Sequence, residues 1–241
     1  MSGRPTTVGL LECGHVADRF RAVDGDYADM FGALFAAHVP EVALRPYDVE
    51  AGELPSGPDA CDAWLCSGSR HSVYDDLDWI APLSGFVRSV ADAEVPFVGI
   101  CFGHQLVAHA LGGRVAKADT GWGAGVHQVE VDRVAPWMVP PAATVALQFM
   151  HQDQVEQLPA GGVCLGRAEH CPVALLQVGP AMVGIQAHPE FSSAYVDALL
   201  ADRVELIGAA RTAAARAALA RPTDEATVAR WIGRVLTGPA G

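Results

Sequence analysis

An apolar run leads directly into a helix-forming segment at Val98-Gly99-Ile100-Cys101-Phe102-Gly103-His104-Gln105. This junction is the strongest indication of the fold. Pro96–Ile100 is continuously apolar, as a strand buried on both faces would be. Gly-x-Cys-x-Gly then matches the strand, sharp turn and helix of a nucleophile elbow, with cysteine in place of serine. A helix that begins at Cys101 would favour its thiolate. An inert buried cysteine, with glycines that only turn the chain, is the other interpretation of these residues.

A second polar motif is Gln186-Ala187-His188-Pro189-Glu190, which follows another apolar run. His188 would lie just past a strand, where ligands gather at the carboxyl ends of an open sheet. Glu190 is two residues on and points to the same side in extended backbone. A carboxylate beside an imidazole fixes its tautomer and supports its charged form. The motif predicts a base for Cys101, and an ordinary loop with a surface ion pair is the alternative.

Strand-like and helix-like runs alternate through the first half of the chain. The predicted strands are Thr7–Leu11, Val42–Pro46, Ala63–Cys66 and Pro96–Ile100. The predicted helices are Asp26–His38, Leu77–Asp92 (with Asp75 or Asp76 as its N-cap) and Gly103–Leu111. This order predicts an α/β fold, with a doubly wound, mostly parallel sheet and helices on both faces.

The second half of the chain predicts a different organisation. Short β-type runs between glycine and proline turns predict antiparallel strands that extend the sheet: Arg114–Lys117, Val126–Val131, Thr144–Phe149, Gly162–Ala168, Val173–Val178 and Met182–Gln186. From Ser192 onward the sequence predicts a helical C-terminal segment, with a solvated helix over Ala209–Ala220.

Composition excludes several classes of protein. With 51% hydrophobic and 18% charged residues among 241, the chain is not disordered and can bury one sizeable core. A net charge of −12 argues against binding to nucleic acid or anionic lipid. The sequence contains no C-x-x-C pair and no apolar run long enough to span a bilayer, and its first residues lack the apolar stretch of a signal peptide. Free thiols and a cytoplasmic location are therefore expected.

The two motifs together resemble those of the class I (triad) glutamine amidotransferases, and in particular the stand-alone, GMP-synthase-like members. Other matching segments are Gly25–Tyr27, Ser67–Asp76, Gly121–Gly123 and His151–Val155. The resemblance extends from about residue 6 to about residue 205. It implies a glutamine amidotransferase-like domain over residues 1–205, and we expect residues 206–241 to form a helical extension packed on the same domain.

The resemblance also implies roles for individual residues. Cys101, His188 and Glu190 would form a catalytic triad. The backbone N–H of Phe102 directly follows the nucleophile and would form an oxyanion hole together with the N–H of Gly68. The substrate-binding residues would be Gln105, His151, Gln152 and Asp153. Neither a metal nor another cofactor is expected, and the pairs Cys13/His15 and His170/Cys171 match no standard metal site.

Three functions fit these residues. The first is a glutamine amidotransferase or glutaminase that forms a thioester and releases glutamate and ammonia, with any acceptor or synthase on a separate protein, since nothing after residue 205 resembles a synthase domain. The second is a γ-glutamyl peptidase or hydrolase that acts on glutathione-like or other small γ-glutamyl compounds. The third is a non-catalytic regulatory subunit, which the complete set of triad residues argues against. In each case we expect a small-molecule ligand, and neither nucleic acid nor a membrane as partner.

Overall fold

A computed structural model describes residues 4–238, and within them nine strands form one central sheet. Its order is β2-β1-β3-β4-β11-β10-β9-β6-β7. The bounds are β1 Thr6–Glu12, β2 Val42–Asp48, β3 Ala63–Cys66, β4 Phe97–Ile100, β6 Gly123–Val131, β7 Thr144–His151, β9 Gly162–Ala168, β10 Cys171–Val178 and β11 Met182–Ile185. The first five strands in this order pair in parallel and the rest in antiparallel fashion. The predicted mixed sheet, mostly parallel at its centre and extended by antiparallel strands, is confirmed.

Helices cover both faces of the sheet. They are α1 Arg21–Asp24, α2 Tyr27–His38, α3 Ile80–Asp92, α4 Phe102–Ala110, α5 Ser193–Asp202, α6 Val204–Ile207, α7 Ala209–Ala218 and α8 Glu225–Thr237. Short 3-10 helices occupy Asp18–Phe20 and Pro58–Ala60. On one face, α2 and α8 bury Phe31 and Trp231 against the strands. On the other, α3 and α4 bury Leu83 and Leu106.

The structure corrects three predictions about local structure. Met182–Gln186, predicted as an antiparallel strand that extends the sheet, is β11, which pairs in parallel with β4 inside the sheet and antiparallel only with β10. Helix α3 begins at Ile80 rather than Leu77, because Asp75 and Leu77 form turns before it, and its N-cap is Trp79, so neither Asp75 nor Asp76 caps it. The segment Arg114–Lys117 (β5) does not extend the main sheet. It pairs antiparallel with a strand that was not predicted, β8 at Asp153–Gln157, in a separate two-stranded sheet.

The C-terminal helices pack on the rest of the chain. Val228, Trp231 and Ile232 of α8 belong to the same buried cluster as Val8 and Leu10 of β1. The Trp231 indole donates to the carbonyl of Pro140 at 2.8 Å. Residues 1–3 of the predicted domain and 239–241 of the predicted extension lie outside the described residues. None of the helices between residues 4 and 238 has the length and hydropathy that crossing a bilayer requires.

Strand register explains why distant parts of the sequence meet at one edge. Ile100, the last residue of β4, lies opposite Ile185, the last residue of β11, and Cys66 of β3 pairs with Gly99. The segments that follow these three strands therefore leave the sheet side by side. The residues after Cys66, Ile100 and Ile185 include Gly68, Cys101 and His188.

Candidate active site

Cys101 occupies the turn between β4 and α4 in a conformation that L-residues rarely adopt. Its φ is 51° and its ψ is −97°. Its amide donates to the carbonyl of Ile185 at 2.8 Å, and its own carbonyl accepts from the amide of Gln105 at 3.1 Å. The strained turn is thus held by a neighbouring strand and by the first turn of the helix, and it places the thiol at the positive end of the α4 dipole.

Glycines allow α4 to begin directly on the sheet. A Cβ at Gly99 would lie 2.2 Å from the backbone of Gly103, and a Cβ at Gly103 would lie 2.6 Å from the carbonyl oxygen of Cys66. Both distances are shorter than real Cβ contacts. Any side chain at either position would therefore push the helix away from the strands and move Cys101.

His188 and Glu190 form a buried pair beside Cys101. His188 Nδ1 lies 2.7 Å from Glu190 Oε1, and both side chains are almost entirely inaccessible to solvent. A Cβ at Gly68 would lie 2.9 Å from His188 Cε1 and 3.7 Å from the Cβ of Cys101. The ring and the cysteine therefore border the same glycine, and only a residue without a side chain fits between them.

The environment favours the charged form of His188. Burial disfavours the imidazolium, but the negative charges of Glu190 and of the Cys101 thiolate outweigh burial and raise the pKa of His188 to about 10. The carboxylate accepts from Nδ1, so Nε2 is the ring atom left to exchange a proton with a reacting group. The arrangement can hold a thiolate–imidazolium pair.

An aromatic stack fixes the plane of the His188 ring. The ring lies parallel to Phe191, with centroids 3.8 Å apart and an interplanar angle of 5°. Phe191 in turn meets Tyr195 edge to face at 4.7 Å and lies nearly parallel to Tyr27 at 6.3 Å. The main chain is held as well, since the amide of His188 donates to the carbonyl of Gln148 on β7 at 2.8 Å.

The backbone amides of Gly68 and Phe102 lie close to Cys101. Gly68 follows β3 and is buried, and Phe102 is the first residue of α4. Within residues 4–238, neither amide donates a hydrogen bond to another group of the chain. Two free N–H groups beside a thiol could donate to an oxyanion formed there.

The four predicted substrate-binding residues come together around one cleft, of about 340 Å³, which we call the Gln105 cleft. The side-chain amide nitrogen of Gln105 donates to the carbonyl of Asp153 at 2.8 Å and to Gln186 Oε1 at 3.2 Å. His151 Nδ1 bonds the same carbonyl of Asp153 at 2.9 Å. The Asp153 carboxylate accepts a hydrogen bond from Ser72. Gln152 and Trp122 also line this cleft.

His151 is neutral in this environment. Burial lowers its pKa well below the usual value, and neighbouring histidines, His170 first among them, lower it further. Since Nδ1 donates to Asp153, Nε2 carries a lone pair.

A further cleft, of about 170 Å³, also borders Cys101, and we call it the His188 cleft. His188, Tyr27, Phe191 and Tyr195 line it, and none of these four lines the Gln105 cleft. The two clefts share Cys101 and four other residues: Ser69, Arg70, Met150 and Arg203. The sulfur therefore lies where the two clefts join.

Two residues of this region, Phe191 and Arg203, were not predicted from the sequence. Phe191 directly follows Glu190, and an aromatic at that position was the available signal for the stacked ring. Arg203 lies between α5 and α6 without any motif around it, so no pattern in the sequence could single it out.

His15 belongs to the pair Cys13/His15, whose spacing matches no standard metal site, and its ring lies among carboxylates. Ligand atoms of Glu12, His15 and Asp26 lie within 4.8 Å of one another. Both ring nitrogens of His15 are already bonded to carboxylates, Nδ1 to Asp26 at 3.0 Å and Nε2 to Asp48 at 3.1 Å. Burial disfavours its charge, but these two carboxylates outweigh burial and raise the pKa of His15. The contacts are those of an ion-pair network beside the His188 cleft.

Comparisons with known proteins agree with this fold. A crystal structure of a glutamine amidotransferase from Thermotoga maritima superposes with a TM-score of 0.74 at 18% identity, and covers 98% of this chain and 97% of that chain. One from Methylobacillus flagellatus gives a TM-score of 0.72 at 20% identity, over 97% of this chain and 93% of that one. The architecture is therefore that of the glutamine amidotransferases.

Sequence relatives define the family. The model of the family "Glutamine amidotransferase class-I" matches residues 37–204. Gamma-glutamyl peptidase 5 from Arabidopsis thaliana is 30% identical over 177 residues, which are 70% of this chain and 69% of that protein. GMP synthase [glutamine-hydrolyzing] from Azoarcus sp. is 33% identical over 181 residues, which are 68% of this chain and 33% of that longer protein. The chain belongs to the class I glutamine amidotransferase family, as its motifs predict.

Proposed function

We propose that this chain hydrolyses the γ-glutamyl amide of glutamine through a thioester on Cys101, with release of glutamate and ammonia. The observation that carries the proposal is the buried His188–Glu190 contact of 2.7 Å beside a cysteine at the N-terminus of a helix. Membership of a family of glutamine amidotransferases supports it. In this proposal Cys101 is the nucleophile, His188 is the general acid and base, and Glu190 orients and charges His188.

The reaction takes place in two halves. The Cys101 sulfur attacks the amide carbon, and the oxyanion that forms accepts hydrogen bonds from the amides of Gly68 and Phe102. The C–N bond then breaks while His188 gives its proton to the leaving nitrogen, which yields a γ-glutamyl thioester. Water attacks the thioester, His188 takes its proton, and the C–S bond breaks to release glutamate and restore the thiolate.

The Gln105 cleft would hold the glutamyl part of the substrate. The amide nitrogen of Gln105 is engaged by Asp153 and Gln186, which leaves its oxygen to accept from the ligand. His151, Gln152 and Asp153 would contact the α-amino and α-carboxyl groups. The Asp153 carboxylate suits an ammonium group.

The ammonia would pass to an acceptor on a separate synthase protein. The GMP synthase relative is described as glutamine-hydrolyzing, and this chain matches one third of it. Ammonia release that rises when a candidate partner is added would support this part of the proposal. The same rate with every candidate would contradict it.

A γ-glutamyl peptidase is the second candidate function. The His188 cleft favours it, because a leaving amine larger than ammonia needs room on the histidine side of the sulfur. The name of the Arabidopsis relative agrees. Both functions use the same bond making and breaking at the carbonyl and differ only in the leaving amine.

Labelling with a glutamine-like chloroketone tests the chemistry. We expect one covalent adduct on Cys101 by mass spectrometry, no adduct in Cys101→Ser, and a normal adduct in Cys164→Ser, a half-buried thiol on β9 that serves as the matched control. Hydrolysis of glutamine should fall at least about 1,000-fold in Cys101→Ser and stay unchanged in Cys164→Ser. An unlabelled Cys101, with or without partner proteins, would instead favour a regulatory subunit.

A substrate panel separates the two enzymatic candidates. Glutamine, γ-glutamyl-p-nitroanilide and glutathione are compared by kcat/KM. Higher kcat/KM for glutamine supports the glutaminase, and a strong preference for the larger compounds supports the peptidase.

A further inference from the structure

The position of His188 assigns the leaving amine to one of the two clefts. A general acid must lie within hydrogen-bond reach of the nitrogen that it protonates. His188 lines the His188 cleft and not the Gln105 cleft. With the glutamyl part in the Gln105 cleft, the scissile bond lies over Cys101, where the clefts join, and whatever the nitrogen carries extends into the His188 cleft.

Arg203 supplies a positive charge at this junction. Its side chain is half-buried and lines both clefts. It lies near the phenols of Tyr27 and Tyr195. Burial raises the pKa of both phenols, and the charge of Arg203 works in the opposite direction. Among residues 4–238, the Arg203 guanidinium has no carboxylate within 4.0 Å and makes no hydrogen bond.

The other cations that line the His188 cleft are already engaged, and the His188 ring itself pairs with Glu190. Arg19 makes two hydrogen bonds to Asp202, at 3.0 and 2.9 Å. Arg70 pairs with Glu50 at 3.1 Å, and His15 pairs with Asp26 at 3.0 Å and with Asp48 at 3.1 Å. Arg203 is therefore the cation in the described part of this cleft that is available to an anionic ligand. A free guanidinium recognises a carboxylate through paired N–H donors.

Part of the wall of this otherwise polar cleft is apolar. Phe20, Phe191, Tyr195 and Leu199 line it. A cavity of about 150 Å³ lined by apolar residues holds a benzene molecule. A volume of about 170 Å³ is therefore enough for one apolar side chain of the size of leucine or phenylalanine.

We propose that Arg203 binds a carboxylate on the leaving amine, and that the favoured substrates are γ-glutamyl amino acids or peptides in which the amine part carries a free carboxylate and an apolar side chain. This inference rests on hydrolysis at Cys101 and on the second candidate function, the γ-glutamyl peptidase. It makes Arg203 a specificity-determining residue, and ammonia, as the leaving group of glutamine, makes no use of it.

The test compares γ-glutamyl-phenylalanine with γ-glutamyl-phenylalanine amide, which differ only in the charge of the leaving amine's carboxyl group. The readout is the ratio of their kcat/KM values. We expect the wild-type chain to prefer the acid, and the preference to fall about 10- to 100-fold in Arg203→Met, as for the loss of a hydrogen bond between charged groups. Arg203→Lys should retain part of the preference. Arg133→Met, an exposed arginine beyond the far end of β6, should keep the wild-type ratio.

Three outcomes would overturn the inference. A wild-type chain that hydrolyses both compounds equally removes the role of the carboxylate, while the proposed hydrolysis stands. A preference that persists in Arg203→Met assigns the recognition to another residue. An equal fall for both compounds in Arg203→Met means that Arg203 serves the glutamyl part instead.

A binding measurement separates this inference from the proposed function. In Cys101→Ser, calorimetry measures the affinity for the same two compounds without turnover. Tighter binding of the acid, lost when Arg203→Met is added, supports the role of Arg203 whether or not the wild-type chain hydrolyses either compound. Equal affinities in Cys101→Ser overturn it.

Discussion

At the scale of single residues, Glu190 decides how His188 behaves. The imidazole is almost entirely buried, against Phe191 and Gly68, and burial alone would keep it neutral. The Glu190 carboxylate contributes the largest effect that opposes burial, and the Cys101 thiolate adds to it. Removal of the Glu190 charge should therefore change the titration of His188 more than any other single substitution around it.

The prediction concerns Glu190→Gln, which keeps the size of the side chain. The pKa of His188 should fall from about 10, so the imidazolium is lost at lower pH and the alkaline limb of kcat/KM moves to lower pH. We also expect kcat to fall about 100- to 10,000-fold, as when the carboxylate of a triad is made neutral. The pH–rate profile for glutamine measures both effects.

Glu41→Gln serves as the control, since Glu41 is exposed and precedes β2 at the opposite edge of the sheet. Its profile should match that of the wild-type chain. An alkaline limb in Glu190→Gln that stays at the wild-type pH would contradict the role given to Glu190.

The sequence predicts those residues of the site that belong to short motifs, and it does not predict the others. Cys101, His188 and Glu190 belong to short motifs whose backbone geometry is local. The spacing within these motifs is therefore enough to predict all three as candidate site residues. Arg203 and Phe191 reach the same region through tertiary packing of α5 against the sheet. Their positions depend on contacts between distant segments, which a single sequence does not encode in any short motif.

At the scale of helices and strands, periodicity predicted the type of most segments but not all of their pairings. Strands with continuous apolar runs, such as β3 and β4, were predicted with nearly correct bounds. β8 was missed because Asp153–Gln157 is mostly polar and its burial comes from β5 and α4 rather than from its own pattern. The start of α3 was misplaced because Asp75 and Asp76 resemble N-caps, while the chain there forms turns.

The prediction at this scale tests whether residues 206–241 belong to the same folding unit as the sheet. Trp231 on α8 is fully buried in the cluster that includes β1 and β4. Trp231→Ala should lower the free energy of unfolding by about 3–5 kcal/mol, because it leaves a cavity and an unpaired carbonyl at Pro140. Urea unfolding, followed by far-UV circular dichroism, measures the change.

Trp137→Ala is the matched control, since this neighbouring tryptophan is only half-buried and should cost less. If α8 were a separate appendage, Trp231→Ala would melt it alone and leave the midpoint of the main transition unchanged. That result would contradict a single cooperative domain.

At the scale of the whole molecule, buried histidines tie stability to pH. Burial lowers the pKa of His104 to about 4, and that of His170 to about 3. An unfolded chain protonates its histidines near pH 6.5. Between about pH 6.5 and pH 4 the unfolded state thus binds more protons than the folded state, and stability falls as the pH falls. His188 has a raised pKa and is charged in both states in most of this window, so it does not offset the loss.

We therefore expect the free energy of unfolding to fall between pH 7 and pH 5, by about 1.4 kcal/mol per pH unit for each proton that only the unfolded state binds. His104→Gln should reduce this slope by about one proton. Urea titrations at half-unit steps of pH measure the slope. An unchanged slope in His104→Gln would show that His104 is charged in the folded chain.

The close contact of α4 with the strands has a consequence for how this scaffold can diversify. At Gly99 and Gly103 the closest contacts are between main-chain atoms, so the position of Cys101 depends more on the backbone than on the side chains that line the clefts. If the proposed hydrolysis takes place at Cys101, substitutions in the walls of either cleft, Arg203 among them, would change which amine leaves without moving the sulfur. Selectivity and reactivity are separable here, and an engineer can redesign the one while leaving the other alone.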